Sequence, residues 1–251
     1  MASTLLLILA AVIAVSAVSF ISVLALYFRK IDEVLGYLTS FAAGSLLGAA
    51  FLDLLPAAAS APPDNVFFFT LVGILTFFLI ELYFHWHHHH HIRNKDETKH
   101  AHAVGYLNLV GDGMHNFIDG TIIAASFLAS VPLGIVTTLA VIAHEIPQEF
   151  GDFGILLYSG FSKAKALMFN FLTALTAVAG AILTYFMAGS VENLTYILIP
   201  FAAGSFIYIA TADLMPEIHK HGGKEIFESV GQVAALFGGI AIIWLVGKFF
   251  A

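Results

Sequence analysis

The chain has 251 residues, 59% of them hydrophobic and 11% charged, with a formal net charge of −7, whereas a soluble domain carries roughly 25% charged residues. Its mean hydropathy of +0.91 marks a membrane protein, and the absence of a basic patch with interleaved aromatics gives a nucleic-acid partner no support. The sequence holds no cysteine, which excludes disulfides and thiolate ligands and leaves His, carboxylates and Met to bind any metal.

Apolar blocks fall at about 4–28, 36–58, 66–85, 105–129, 132–158, 164–188, 194–217 and 229–249. Each is long enough to cross a bilayer as a helix. The expected fold is therefore an all-α polytopic membrane protein with eight transmembrane helices, forming one transporter domain over 1–251 with a His-rich cytoplasmic loop at 86–104. The first block lacks a basic leader and is too long for a signal-peptide core, so it reads as a first span.

The ten basic residues test this count. Arg29 and Lys30 follow span 1, Arg93, Lys95 and Lys99 follow span 3, Lys163 and Lys165 follow span 5, and Lys220 and Lys224 follow span 7; only Lys248 lies on the other side. By the positive-inside rule both termini are expected outside the cytoplasm.

A repeat is visible by eye. FAAGSLLGAAFLDLLPAA at 41–58 returns as FAAGSFIYIATADLMPEI at 201–218, with Asp53 matching Asp213 and Pro56 matching Pro216. The copies lie in spans 2 and 7, five spans apart, and so run in opposite directions. Spans 1–3 and 6–8 are expected to form an inverted repeat around spans 4–5, an arrangement common in transporters. Close packing of small residues is the plainer source of such similarity, but it does not explain why Asp and Pro recur at one fixed offset.

Spans 4 and 5 carry the chemistry. His115 and Asp119 are four apart in HNFIDG, as are His144 and Gln148 in HEIPQE, a spacing that stacks side chains on one helix face. Two such faces offer imidazole nitrogens, a carboxylate and an amide oxygen, a reasonable donor set for Zn²⁺ or another first-row divalent ion. Asn116 and Glu145 sit at the edge of that face and allow a second, weaker position. Glu149 and Asp152 extend the polar strip of span 5 toward the cytoplasmic end. Pro147 is expected to kink span 5 beside His144. Interhelical hydrogen bonding alone is the bland reading of each residue, yet burying several carboxylates without a cation costs too much. A zinc-peptidase motif would need a second His where Gln148 stands, so no enzyme is expected.

Asp53 on the outer side, and Asp213 with Glu217 on the inner side, suit vestibule positions along an ion path. His85, His87 to His91, His100 and His102 form a tract that can bind metal loosely, or serve only as a solvated linker.

These features resemble the ZIP (Zrt/Irt-like) family of divalent metal transporters, of the prokaryotic type, with HNxxD and HExPQE signatures. The resemblance covers nearly the whole chain. It implies that His115, Asn116, Asp119, His144, Glu145, Gln148 and Glu149 contribute to metal binding, that Zn²⁺, or Fe²⁺, Mn²⁺, Cd²⁺ or Co²⁺, is bound as the transported ion with no cofactor, and that uptake into the cytoplasm proceeds by an elevator-like or rocking motion. Gln148 stands where the family has His or Glu, and span 6 has only Asn170 where some bacterial members place a carboxylate. One well-formed metal position is therefore expected. The resemblance further implies a multi-pass protein of the cell membrane, with the lipid bilayer and divalent ions as partners and a homodimer as the common assembly. A metal exporter, or a metal-binding sensor or assembly protein without flux, are the rival readings.

Overall fold

The computed structural model describes residues 2–28, 32–60, 65–90, 97–191, 193–220 and 226–250. Among the described residues all regular structure is helical. Helix α1 is Ala2–Phe28. Helix α2 starts as Asp32–Gly48, passes through a π-helical stretch at Ala49–Leu54 and ends as Leu55–Ala59. Then come α3 (Val66–His90), α4 (Glu97–Ala129) and α5 (Val131–Tyr158). Helix α6 comprises Lys163–Ala174 and Thr176–Met187. Helix α7 runs from Leu194–Tyr208 through a second π-helical stretch, Ile209–Leu214, into Met215–Lys220, and α8 is Ile226–Phe250.

Seven of these helices are long and apolar enough to cross a membrane. The one outside that group, α4, has its apolar sequence interrupted by Asn108, Asp112, His115, Asn116 and Asp119. The polar groups that make α4 chemically useful are the ones that weaken it as an apolar span. The protein is thus an all-α polytopic membrane protein with seven to eight long apolar helices. Large apolar side chains such as Phe67, Tyr158 and Phe249 point outward, as expected of surfaces that face lipid.

Two local features bear on the sequence expectation. Span 6 forms where the apolar block places it, at Lys163–Met187, with its helix interrupted at the single residue Leu175. Around the break, Thr173 Oγ1 donates to the Asn170 carbonyl (2.9 Å) and Thr176 Oγ1 to the Thr173 carbonyl (2.7 Å), so hydroxyls take up acceptors that the helical N–H ladder would use. Helix α5 runs through Pro147 as one continuous element.

The π-helical stretches occupy equivalent positions in the repeated sequence, each holding the matched aspartate, Asp53 or Asp213, and each followed by the matched proline, Pro56 or Pro216. A proline lacks the N–H that would close the preceding helical turn, and an inserted π turn is a common accommodation near functional residues. Packing follows the same pattern. Helix α2 packs most heavily on α8 and α7 is most heavily packed on α3, while α4 contacts α5 and α6, and α1 contacts α5. Gly44 of α2 abuts the Leu236 carbonyl of α8, and its repeat equivalent Gly204 abuts the Thr70 carbonyl of α3. Any side chain at either site would collide with backbone. Close approach of this kind is how small residues hold helices together in lipid.

The buried core is built largely of small residues, with Ala42, Ala43, Leu46, Ala203 and Phe206 meeting Ile122, Ile123 and Ala140. It holds α4 and α5 at the centre, where their polar faces meet.

Candidate metal centre

Helices α4 and α5 are joined by Ser130 alone, which is extended (φ −162°, ψ 152°) and caps α5 by accepting the Leu133 N–H at 3.2 Å. Pro132, in the first turn, tolerates the missing helical donor there. The tight link makes the two helices antiparallel neighbours. Residues preceding His115 on α4 thus lie at the same end of the bundle as residues following His144 on α5.

His115, Asp119, His144 and Glu145 converge, with ligand atoms all within 4.8 Å of one another. His144 Nε2 lies 3.1 Å from Asp119 Oδ2 and 3.8 Å from Glu145 Oε1; His115 Nε2 lies 3.7 Å from Asp119 Oδ2 and 3.8 Å from Glu145 Oε1. The two Nε2 atoms are 3.1 Å apart. Zinc bonds of 2.0–2.1 Å give a tetrahedron with edges of about 3.3 Å. The cluster is already close to that size.

Its surroundings leave the donor atoms free for a cation. His144 Nδ1 is 3.1 Å from the Ala140 carbonyl; with the proton on Nδ1 this contact fixes the tautomer and leaves the Nε2 lone pair facing the carboxylates. Ser19 of α1 donates to Glu145 Oε2 at 3.1 Å, and Glu145 Oε1 remains without a hydrogen bond. Both oxygens of Asp119 are likewise buried without a hydrogen-bond partner. Such carboxylates are costly unless a cation compensates them. The rings of Phe77 and Phe206 stand edge-on to His115 and His144, at 5.6 and 6.1 Å between centroids, and wall the cluster with apolar surface.

A cavity of about 490 Å³ reaches this cluster. His115 and Gln148 line it together with Asp112, Asn108, Asp152, Glu81, Tyr208 and Asp213. Tyr208 donates to Glu81 across the cavity wall. Glu149 is fully buried and accepts from Asn170. Asn116 is also fully buried and donates to Asp112 at 2.8 Å. Asp53 lies at the far end of α2, packed against the backbone of α8 at Gly247, with Oδ2 unpartnered. The side chains of Glu217 and His219, those of the His-rich tract at 85–102, and all of His221 lie outside the described residues.

The sequence reading paired His144 with Gln148 and placed Glu145 beside them; in the structure Glu145 belongs to the converging four, and Gln148 lines the cavity. It missed Asp112 and Asn108, although a charge at four-residue spacing from Asn116 inside an apolar helix was a usable signal. It also missed Ser19, for which a serine in an apolar span gives no signal.

The ZIP zinc transporter family model matches residues 5–105 and 85–247. Zinc transporter ZIP13 of Pongo abelii is 36% identical over 229 residues, covering 84% of this chain and 66% of that protein. Zinc transporter zipt-7.2 of Caenorhabditis elegans is 41% identical over 149 residues, 57% of this chain and 32% of that protein. IAA-alanine resistance protein 1 of Arabidopsis thaliana is 42% identical over 148 residues, 58% of this chain and 31% of that protein. The chain thus spans about a third to two thirds of the length of these curated relatives. The matched family is one of transport proteins and not of enzymes. With a family match over most of its length and the cluster on its two central helices, the chain belongs to the ZIP zinc transporter family.

Proposed function

We propose that the protein carries divalent metal, zinc foremost, across the cell membrane into the cytoplasm, using His115, Asp119, His144 and Glu145 as the central ion position. The observation that carries this reading is the four-residue cluster at the end of a cavity whose wall carries Asp112, Asp152 and Asp213. A sensor needs the cluster but has no use for a route away from it. Gln148 and Asn116 are assigned as adjoining donors, and Glu149 and Asp152 as the next groups on α5. Asp53 belongs to the outer approach, Asp213 and Glu217 to the inner exit.

Direction rests on charge. Nine of the ten basic residues flank the same ends of the spans, which the positive-inside rule assigns to the cytoplasm, with both termini outside. The cavity runs from His115 toward Asn108, Asp152 and Asp213, at those same ends. In this assignment the conformation is open to the cytoplasm.

The proposed architecture is an inverted repeat of α1–α3 and α6–α8 around α4–α5, in one transport domain with 86–104 as its cytoplasmic loop. The pairing of α2 with α8 and of α7 with α3, and the matched π-helical stretches, support it. Opposed halves of this kind suit alternating access. The prokaryotic type rests on the two signatures alone, and iron, manganese, cadmium and cobalt as further cargo, and a homodimer, on the family resemblance.

The test is ion entry into liposomes holding the purified chain and an internal metal-sensitive dye. Saturable Zn²⁺ entry that is lost in His144→Ala is expected. Stoichiometric binding without entry under an imposed gradient would favour the sensor, and unchanged flux in His144→Ala would defeat the site assignment.

A further inference from the structure

Helices α4 and α6 touch over one stretch and part over the next. A Cβ at Gly120 would strike the Ala177 carbonyl and one at Gly180 the Phe117 carbonyl, so there the two backbones are in contact. At Gly113, about two turns back along α4, a Cβ would meet the methyl groups of Thr173 and Thr176 at an ordinary 3.7 and 3.8 Å. The parting coincides with the interruption of α6 at Leu175. Helix α3 packs on α7 far more heavily than on α4. A groove of about 720 Å³ is left between α3, α4 and α6. We propose that this groove holds an acyl chain of a bilayer lipid, which closes the lateral side of the metal cavity.

The walls select an apolar occupant. Thr173 Oγ1 lies 3.0 and 2.9 Å from the carbonyls of Phe169 and Asn170, and Thr176 Oγ1 lies 2.7 Å from those of Gly113 and Thr173. Both hydroxyls are thus turned into backbone, and their methyl groups face Gly113 in the groove. Thr76 of α3 carries the one other side-chain hydroxyl of the lining, which is otherwise Gly, Ala, aliphatic, Met and Phe. An ordered water needs two to four polar partners. A polar ligand would fare no better.

The groove is continuous with the surface that meets lipid. Val110, Met114 and Leu172 line it and are 56%, 42% and 50% exposed. Around membrane-spanning helices the molecule that reaches such a surface is a hydrocarbon tail. Left empty, the lining atoms would forfeit their dispersion contacts on one side. A tail from the adjoining bilayer restores them without moving any polar group out of water.

The occupant also bears on the metal cavity. Ile80 and Ile118 line both spaces, so two side chains stand between the tail and the region in front of His115. Hydrocarbon behind them backs the thin wall between α3 and α4, where direct helix packing is sparse. This assignment rests on the membrane-spanning fold and is independent of the transport reading.

Lipid labelling tests it. The full-length chain is reconstituted in phosphatidylcholine liposomes containing a lipid with a diazirine in one acyl chain, irradiated, and mapped by mass spectrometry. Labelling of Met114, Phe169 and Leu172 is expected, with Phe237, exposed on α8, as the measure of passing lipid. Gly113→Leu places a side chain in the groove instead of the tail. Labelling of Phe169 in that variant should fall roughly tenfold, equivalent to about 1.4 kcal/mol of lost preference, while Phe237 and the thermal unfolding midpoint stay unchanged and report a folded chain. Groove residues left unlabelled in the native chain beside a labelled Phe237 would overturn the proposal. Undiminished Phe169 labelling in Gly113→Leu would do the same, since it would report passing lipid alone. The chain has no cysteine, so Leu172→Cys introduces a sole thiol; oxidative joining of two chains through it, in place of lipid labelling, would give the groove to a second copy. No readout uses metal flux, and failed ion entry with groove labelling intact defeats the transport reading alone.

Discussion

His115 Nε2 lies 3.1 Å from His144 Nε2, although the residues stand on different helices and 29 positions apart. Two imidazole nitrogens at that separation, with carboxylate oxygens 3.1 to 3.8 Å away, are preorganised for a tetrahedral ion. Little of the binding energy is then spent on ordering the site. Zn²⁺ should accordingly stabilise the folded chain, by about 2.7 kcal/mol at a free concentration one hundred times the dissociation constant. Thermal unfolding in detergent with and without Zn²⁺ measures this, and His144→Ala should lose most of the shift. An equal shift in the variant would move the stabilising site elsewhere, with the His-rich tract the first place to look.

Ser19 reaches the centre from α1. Its hydroxyl holds Glu145 Oε2 at 3.1 Å and so presents Oε1 toward the histidines. Losing a hydrogen bond that orients a metal ligand typically costs 10- to 100-fold in affinity. Ser19→Ala, measured by chelator competition, is expected to weaken Zn²⁺ binding within roughly that range while changing metal-free stability by only about 1 kcal/mol. Unaltered affinity would mean that Glu145 is held in place by its own helix and that α1 contributes packing only.

How much of this was legible beforehand differs by feature. The spans could be read because bilayer thickness forces long apolar runs, and HNFIDG and HEIPQE because four-residue spacing on a helix fixes which side chains share a face. The convergence of Glu145 with the histidines, in preference to Gln148, depends on how α4 and α5 are rotated against each other. Ser130 sets their antiparallel course; the facing surfaces are settled by packing over the whole interface. Ser19 depends on α1 docking against α5, a contact between residues 126 positions apart that no local pattern encodes. The break at Leu175 follows from hydroxyls bonding to nearby carbonyls, a competition that apolar-block counting does not register. The π-helical stretches escaped for a similar reason, since the repeat marks Asp53 and Asp213 as equivalent without revealing the extra residue in the turn around each.

The repeat also makes a prediction about stability. A Cβ at Gly204 would collide with the Thr70 carbonyl, which is backbone and has no rotamer in which to escape. Gly204→Ala should therefore push α7 away from α3 and destabilise the protein by about 1–3 kcal/mol, the usual range for overpacking. Gly238 on α8 supplies the control, because a Cβ there meets nothing within 4 Å. Gly238→Ala should be neutral or stabilising by up to about 1 kcal/mol, the helix-propensity gain of alanine over glycine. Thermal unfolding of the two variants side by side distinguishes steric contact from propensity. Equal effects would show that the α3–α7 interface yields easily, and that the close contact at Gly204 is not what holds the second copy of the repeat in place.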